Sequence, residues 1–211
     1  MKIGIIGATN RTGNVILREA QSRDIDVEII LRDRRRVSSD AEVLEIEPNL
    51  LTSDDVEDLD VLVCAFGTGK LNDSSRLYPA LIKHLIEITK QSSVRLMVVG
   101  SSSCLYTNAE RSQRLFDEPG FPEAAKNSAN SLNEVLKLLR ASDGVDWTYI
   151  SPAEKFVFRA PRTGHYQLGT DFRSYNAAGL SEVSYADYAI AFVDEIQNHQ
   201  HINEHISVVS R

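Results

Sequence analysis

Short, nearly continuous apolar runs recur along the chain, and stretches with apolar residues at helical spacing separate them. Ile3–Ile6, Val27–Leu31, Val43–Ile46, Asp60–Ala65, Arg95–Val99 and Asp146–Ile150 read as strands, with Leu180–Ser184 a short one and His205–Val209 the last. Helical patterns cover roughly Arg11–Arg23, Ser74–Gln91, Pro122–Ala141 and Tyr185–Gln197. Leu77, Leu81, Leu85 and Ile88 make one stripe of the second helix, and Val15, Ile16, Glu19 and Ala20 a mixed face of the first. Runs without polar alternation suit parallel strands covered on both faces. Alternating strands and helices therefore predict an α/β fold, a doubly wound parallel sheet of Rossmann type. One domain is expected over 1–211, with a loop-rich tract from Glu154 to Gly179 opening a small C-terminal cap over 154–211.

The first strand stops at Gly7, and Gly13 opens the first helix six residues later. This strand–turn–helix aims unpaired backbone N–H groups and a helix dipole at one spot, an arrangement that suits a pyrophosphate. The glycine turn of dinucleotide-binding folds runs G-x-G-x-x-G; here Asn10 stands at the middle position. Asn is the non-glycine residue that best tolerates a left-handed backbone, so the turn is expected to survive. A glycine turn after a strand also occurs with no ligand, and its place at the front of a βα alternation is what favours the binding reading.

The second strand ends at Arg32, where such folds meet the adenosine ribose. An Arg there suits the 2′-phosphate of NADP, although Asp33 is adjacent. Arg34–Arg36 read as a solvated basic loop. Asn49-Leu50 stands where the adenine would lie, and Thr52–Asp55 reads as the cap of a short helix. The fourth strand runs into Phe66-Gly67-Thr68-Gly69, beside the first turn if the two strands are neighbours. Ser101, Ser102 and Ser103 follow the fifth strand and either face a ligand or cap a loop. Arg111–Pro122 lacks periodicity and reads as a mobile lid.

The net charge of −7 over 211 residues argues against a nucleic-acid surface. The N-terminal apolar run is too short for a signal peptide or a membrane span, so a cytoplasmic protein acting on a small-molecule substrate is expected. The oligomeric state is left open. Cys64 and Cys104 have no metal-type spacing and read as reduced thiols. His199, His201 and His205 lack matching acidic partners at the close spacing of a metal site and read as surface histidines. His165 is a minor candidate for the pocket, Tyr185 and Tyr188 are expected to pack the last helix on the sheet, and Asp187 is a structural residue that orients the Arg162 loop at most.

GATNRTG at 7–13, the Asp60–Val63 strand with its Gly67 loop, Ser101-Ser102, DWTYISPA at 146–153, RTGHY at 162–166 and VSYADYA at 183–189 together resemble one group. The chain is similar throughout to atypical short-chain dehydrogenases/reductases of the NAD(P)H-binding kind. These include NmrA-like proteins, biliverdin reductase B-type flavin reductases and bacterial proteins labelled NADH-flavin reductases. The resemblance implies NADP(H), or else NAD(H), with Gly7, Thr9, Asn10, Arg11, Thr12 and Gly13 on the phosphates and Arg32 on the 2′-phosphate. It places Ala65, Phe66 and Gly67 on the adenosine side and Ser101, Ser102, Pro152 and Ala153 around the nicotinamide. No Tyr-x-x-x-Lys occurs in the chain, so the proton-donating tyrosine of carbonyl-reducing relatives has no counterpart. Catalytic residues are then undefined beyond Ser101 and Ser102. The implied activity is hydride transfer to FMN, FAD or a similar planar acceptor; the alternative is a non-catalytic dinucleotide sensor.

Overall fold

The computed structural model describes residues 1–37, 41–66 and 74–211, with the backbone alone for 74–76. The chain begins with β1 (Lys2–Ile6), α1 (Arg11–Gln21), β2 (Asp26–Leu31), β3 (Glu42–Glu45) and β4 (Val61–Cys64). It continues through α2 (Ser74–Ser92), β5 (Arg95–Val99), α3 (Lys126–Ala141), β6 (Trp147–Pro152), β7 (Lys155–Val157), β8 (Tyr166–Gly169), β9 (Glu182–Ser184), α4 (Tyr185–Asn198) and β10 (Glu204–Ser210). The main sheet runs in the order β3-β2-β1-β4-β5-β6-β10-β8. All its pairings are parallel except that of edge strand β8 with β10. The order reverses direction at β1, between β2 and β4, which is the switch point of a Rossmann-like fold.

The apolar runs are explained by burial on both faces. Val61 and Val63 belong to the core under α1 and α4, while Leu62 and Cys64 belong to the core under α2 and α3. The period of two along a strand thus sends consecutive apolar residues into two cores. The first core takes Ile16, Leu17 and Ala20 of α1 with Tyr188, Phe192 and Ile196 of α4. The second takes Tyr78, Ile82 and Leu85 of α2 with Val135, Leu136 and Leu139 of α3.

Three expectations change. The tract over 154–179 contains β7 and β8, too short to show a period, and α4 and β10 belong to the main layers; β7 and β9 form a separate parallel pair. Thr52–Asp55 caps no helix, because Asp55 Oδ2 accepts from both the Thr52 N–H and its hydroxyl at 2.7 Å and closes a turn. The 111–122 segment is fastened rather than a free lid. The Leu115 N–H donates to the Leu105 carbonyl at 2.9 Å, Arg114 Nη1 to Asn133 Oδ1 at 2.6 Å, and Arg111 Nη2 to Asp171 Oδ1 at 3.2 Å. Among the described residues, no helix is long and apolar enough to cross a membrane.

Candidate functional site

The switch point is built around three residues of the first turn. Gly7 has φ of +86°, the region that favours glycine, and a Cβ there would meet the Ala65 carbonyl oxygen at 2.5 Å. Gly13 lies on the Gly7 carbonyl, so a side chain at 13 would lift α1 off the sheet. Asn10 is not left-handed, contrary to expectation: its φ is −87° and ψ 171°. It is instead the N-cap of α1, where its Oδ1 accepts from the Gly13 N–H at 2.8 Å. Its Nδ2 donates to the Ala65 carbonyl at the exit of β4. Asn10 therefore ties the glycine turn to the neighbouring strand exit with both ends of one amide.

The capped turn leaves the Arg11 and Thr12 N–H groups at the open N-terminus of α1, without acceptors among the described residues. This is the donor set that a pyrophosphate requires. Thr9 and Arg11 are exposed, and Thr12 is half-buried. Arg11 also lies 5.2 Å from the ring of Phe158, a half-exposed residue just after β7 that the sequence patterns did not single out.

The surface at the exit of β2 is more basic than anticipated. Arg32 is exposed, with Glu47 at 4.0 Å as its carboxylate neighbour. Arg36, read as solvated loop, lines a cavity of about 190 Å³ together with Thr9, Asn14 and Arg18. The 34–36 turn carries it there: Asp33 caps that turn by accepting from the Arg35 N–H at 3.1 Å. Ala65 is buried and Phe66 half-buried against Tyr78, with ring centroids 5.3 Å apart. Gly67 lies outside the described residues.

At the exit of β5, Ser101 and Ser102 are half-buried, while Pro152 and Ala153 of the β6 exit are buried beside them. Ser101 Oγ accepts from the Ser103 N–H at 3.2 Å and lies 2.9 Å from Ser103 Oγ. The capping alternative thus holds for Ser101. Its carbonyl accepts from Ser151 Oγ at 2.8 Å, and that oxygen lies 2.8 Å from His205 Nε2. His205 is therefore no surface histidine. Burial first, then the Arg140 and Arg114 cations, push its pKa down to about 3. With Ser151 donating to Ser101, the imidazole carries its proton on Nε2 and supports the serine turn from below.

The remaining candidates take structural places. His201 Nδ1 lies 2.7 Å from Glu195 Oε2, and no group of three metal-ligating side chains occurs among the described residues. Asp187 accepts from the Thr163 and Gly164 N–H groups at 2.9 Å and from the Thr163 hydroxyl at 2.8 Å, so it holds the Arg162 loop. Arg162 itself reaches Glu19 of α1 at 3.2 Å. His165 on that loop is exposed. Tyr188 donates to the Ile150 carbonyl at 2.7 Å, and Tyr185 stacks on Phe156 at 3.7 Å. Cys64 and Cys104 are buried, and burial pushes the Cys64 thiol up to about 11 and the Cys104 thiol upward, so neither is poised as a thiolate.

Comparison with known proteins agrees with this geometry. Residues 7–198 match the model of the NAD(P)H-binding family. The uncharacterized protein YwnB of Bacillus subtilis (strain 168) is 41% identical over 212 residues, covering 100% of this chain and 99% of its own. A solved structure from Streptococcus pneumoniae TIGR4, provisionally named an NADH-flavin reductase, superposes with a TM-score of 0.95 at 34% identity, each chain covered completely. A provisionally named epimerase from Bacteroides thetaiotaomicron gives a TM-score of 0.85 at 27% identity, over 99% of this chain and 96% of that one.

Proposed function

We propose that this chain, which belongs to the NAD(P)H-binding family, is a reductase that passes a hydride from NADPH to a flavin or similar planar acceptor. The observation that carries the cofactor half is the capped turn: Asn10 consumes the Gly13 N–H and leaves those of Arg11 and Thr12 for a pyrophosphate. The likeness to the Streptococcus pneumoniae protein supports the acceptor half. The bound nicotinamide would supply the hydride; the chain's work is to bind, orient and exclude water.

In this reading Gly7, Thr9, Asn10, Arg11, Thr12 and Gly13 hold the phosphates. Arg32, exposed at the exit of β2, and Arg36, in the wall of the cavity beside Thr9, are the cations offered to the 2′-phosphate, which is the ground for preferring NADPH to NADH. Ala65 and Phe66 border the adenosine. Ser101, Ser102, Pro152 and Ala153 flank the nicotinamide, with Ser151 and His205 fixing the serine turn. Tyr149 and Tyr188 lie near that turn but are fully buried, and burial raises both phenols well above their ordinary range. Neither is suited to giving a proton to a carbonyl substrate, and a flavin accepting hydride at a ring nitrogen needs no such donor from the protein.

The test is NADPH oxidation by the purified protein with FMN, FAD or a quinone as acceptor. Acceptor-dependent turnover above the uncatalysed rate supports the proposal. Tight NADPH binding with no consumption in the presence of any of these acceptors would overturn it in favour of a dinucleotide sensor.

A further inference from the structure

A second concavity lies away from the glycine turn. It measures about 670 Å³, and its wall is made by the 106–117 segment, one face of α3 and Pro79 of α2. That volume is in the range of small-molecule sites. It shares no lining residue with the cavity beside Thr9, and neither Ser101 nor Ser102 lines it.

Its chemistry is that of a donor set. Arg114 projects from the 106–117 segment and is half-buried. Among the described residues, Arg23, Arg95 and Arg173, the other arginines that are not exposed, each meet a carboxylate. Among the described residues, the guanidinium of Arg114 hydrogen-bonds only to neutral oxygens, Asn133 Oδ1 at 2.6 Å and Tyr106 Oη at 3.3 Å, and lies 5.2 Å from the Tyr106 ring. Tyr106 Oη also accepts from Arg140 Nη1 at 3.4 Å. With its lone pairs so engaged, its O–H remains to donate. Hydrogen bonding from Arg114, ahead of that from Arg140, lowers the Tyr106 pKa, as expected beside two cations.

Asn127 and Asn130 on α3 add side-chain amide donors, and Lys137 a further cation. Ser131, 5% exposed, is part of the same wall, and its buried hydroxyl has no partner. Two carboxylates also face the space. Asp117 Oδ2 accepts from the Arg114 backbone N–H at 2.9 Å, and Glu134 lies 3.5 Å from Lys137. The lining holds three cations, Arg111, Arg114 and Lys137, against those two anions, in a chain whose net charge is −7; Arg111 is engaged by Asp171 at 3.2 Å, which leaves Arg114 as the cation of this wall with no carboxylate partner among the described residues.

We propose that this cavity binds a small organic oxoanion, a carboxylate- or phosphate-bearing molecule, at a site separate from the dinucleotide turn. Arg114 supplies the uncompensated charge, Tyr106 an oriented hydroxyl, the two exposed asparagines further amide donors, and Phe116 and Pro79 offer apolar contact for the carbon skeleton. The volume exceeds what a bare inorganic anion would fill, which is why the class is organic.

The test titrates the full chain with citrate and with glucose 6-phosphate, using glucose as the uncharged control, by calorimetry and by two-dimensional NMR. At least one charged probe should bind and shift the side-chain amide signals of Asn127 and Asn130, while glucose shifts none; the tighter probe tells carboxylate from phosphate. Arg114→Gln should raise the dissociation constant of that probe about tenfold, the loss of one charge-assisted hydrogen bond. Arg114→Lys should recover part of that loss, and NADPH affinity should stay within about twofold. Should Arg114→Gln fail to fold, Lys137→Gln, on an exposed side chain, carries the same test with a smaller loss. The proposal is overturned if neither charged probe binds, if binding leaves the Asn127 and Asn130 signals unmoved, if the variants bind as tightly as wild type, or if NADPH displaces the probe.

Discussion

Replacing Asn10 with alanine removes two hydrogen bonds at the one place where the glycine turn, α1 and β4 meet. The Gly13 N–H loses its cap, worth about 1 kcal/mol. The Ala65 carbonyl, in a residue only 2% exposed, loses its donor, which costs about 1–3 kcal/mol when a buried acceptor is left unmade. Both bonds share one residue and one strand exit, so the sum is best taken as about 2–3 kcal/mol. For a chain of 211 residues this lowers the midpoint of thermal unfolding by about 4–12 °C. Asn10→Asp separates the two roles: it keeps an acceptor for Gly13 but turns an oxygen toward the Ala65 carbonyl. It should therefore lose the carbonyl contribution and, with a carboxylate at the phosphate site, lose NADPH affinity more severely than alanine does. The assay is a thermal melt of wild type and both variants, with and without NADPH. An Asn10→Ala midpoint within about 1 °C of wild type would refute the clamp.

Other outcomes follow from the same structure. Glu195→Ala strands the buried Arg95, which it meets at 2.5 Å, and should cost about 3–5 kcal/mol in urea denaturation. His205 is neutral in the fold with its pKa at about 3, whereas the unfolded chain takes up a proton below about 6.5. Its contribution to stability is therefore complete above pH 6.5 and falls by about 1.4 kcal/mol per pH unit as pH drops toward 3. His205→Gln should flatten that part of the stability–pH curve, and an unchanged slope would remove His205 as its source. Arg32→Ala and Arg36→Ala should each weaken NADPH far more than NADH in binding titrations; equal losses would show that neither reads the 2′-phosphate. Cys64 and Cys104 should resist thiol reagents in the native protein and react only on unfolding.

What could be read from sequence was what repeats locally. Strand runs such as VLVC at 61–64 announce burial on two faces by composition alone, and the alternation with helices then fixes a parallel sheet. The glycine turn was equally legible, because spacing and position carry it. Side chains with long-range partners were not. The spacing of Asn10 points to a backbone role alone, yet its partner Ala65 is 55 residues away. His205 looked like its surface neighbours, but β10 pairs with β6 and carries it under Ser151. Arg114 sat in a stretch without period, and only the packing of that stretch on α3 gives it Asn133 and a cavity. Asp187 was the partial exception. Its place three residues after Ser184 marks a helix start, and the free carboxylate there finds the Thr163-Gly164 backbone.

The most direct test of the account is where NADPH sits. Titrating isotopically labelled protein with NADPH and following backbone amides by NMR should move Thr9, Arg11 and Thr12 first and most. Signals at the exits of β5 and β6, Ser101, Ser102 and Ala153, should follow at the same ligand concentrations, and the Asn127 and Asn130 side chains should stay still. Saturable NADPH binding that leaves the Gly7–Gly13 turn unmoved, or no binding at all, would contradict it.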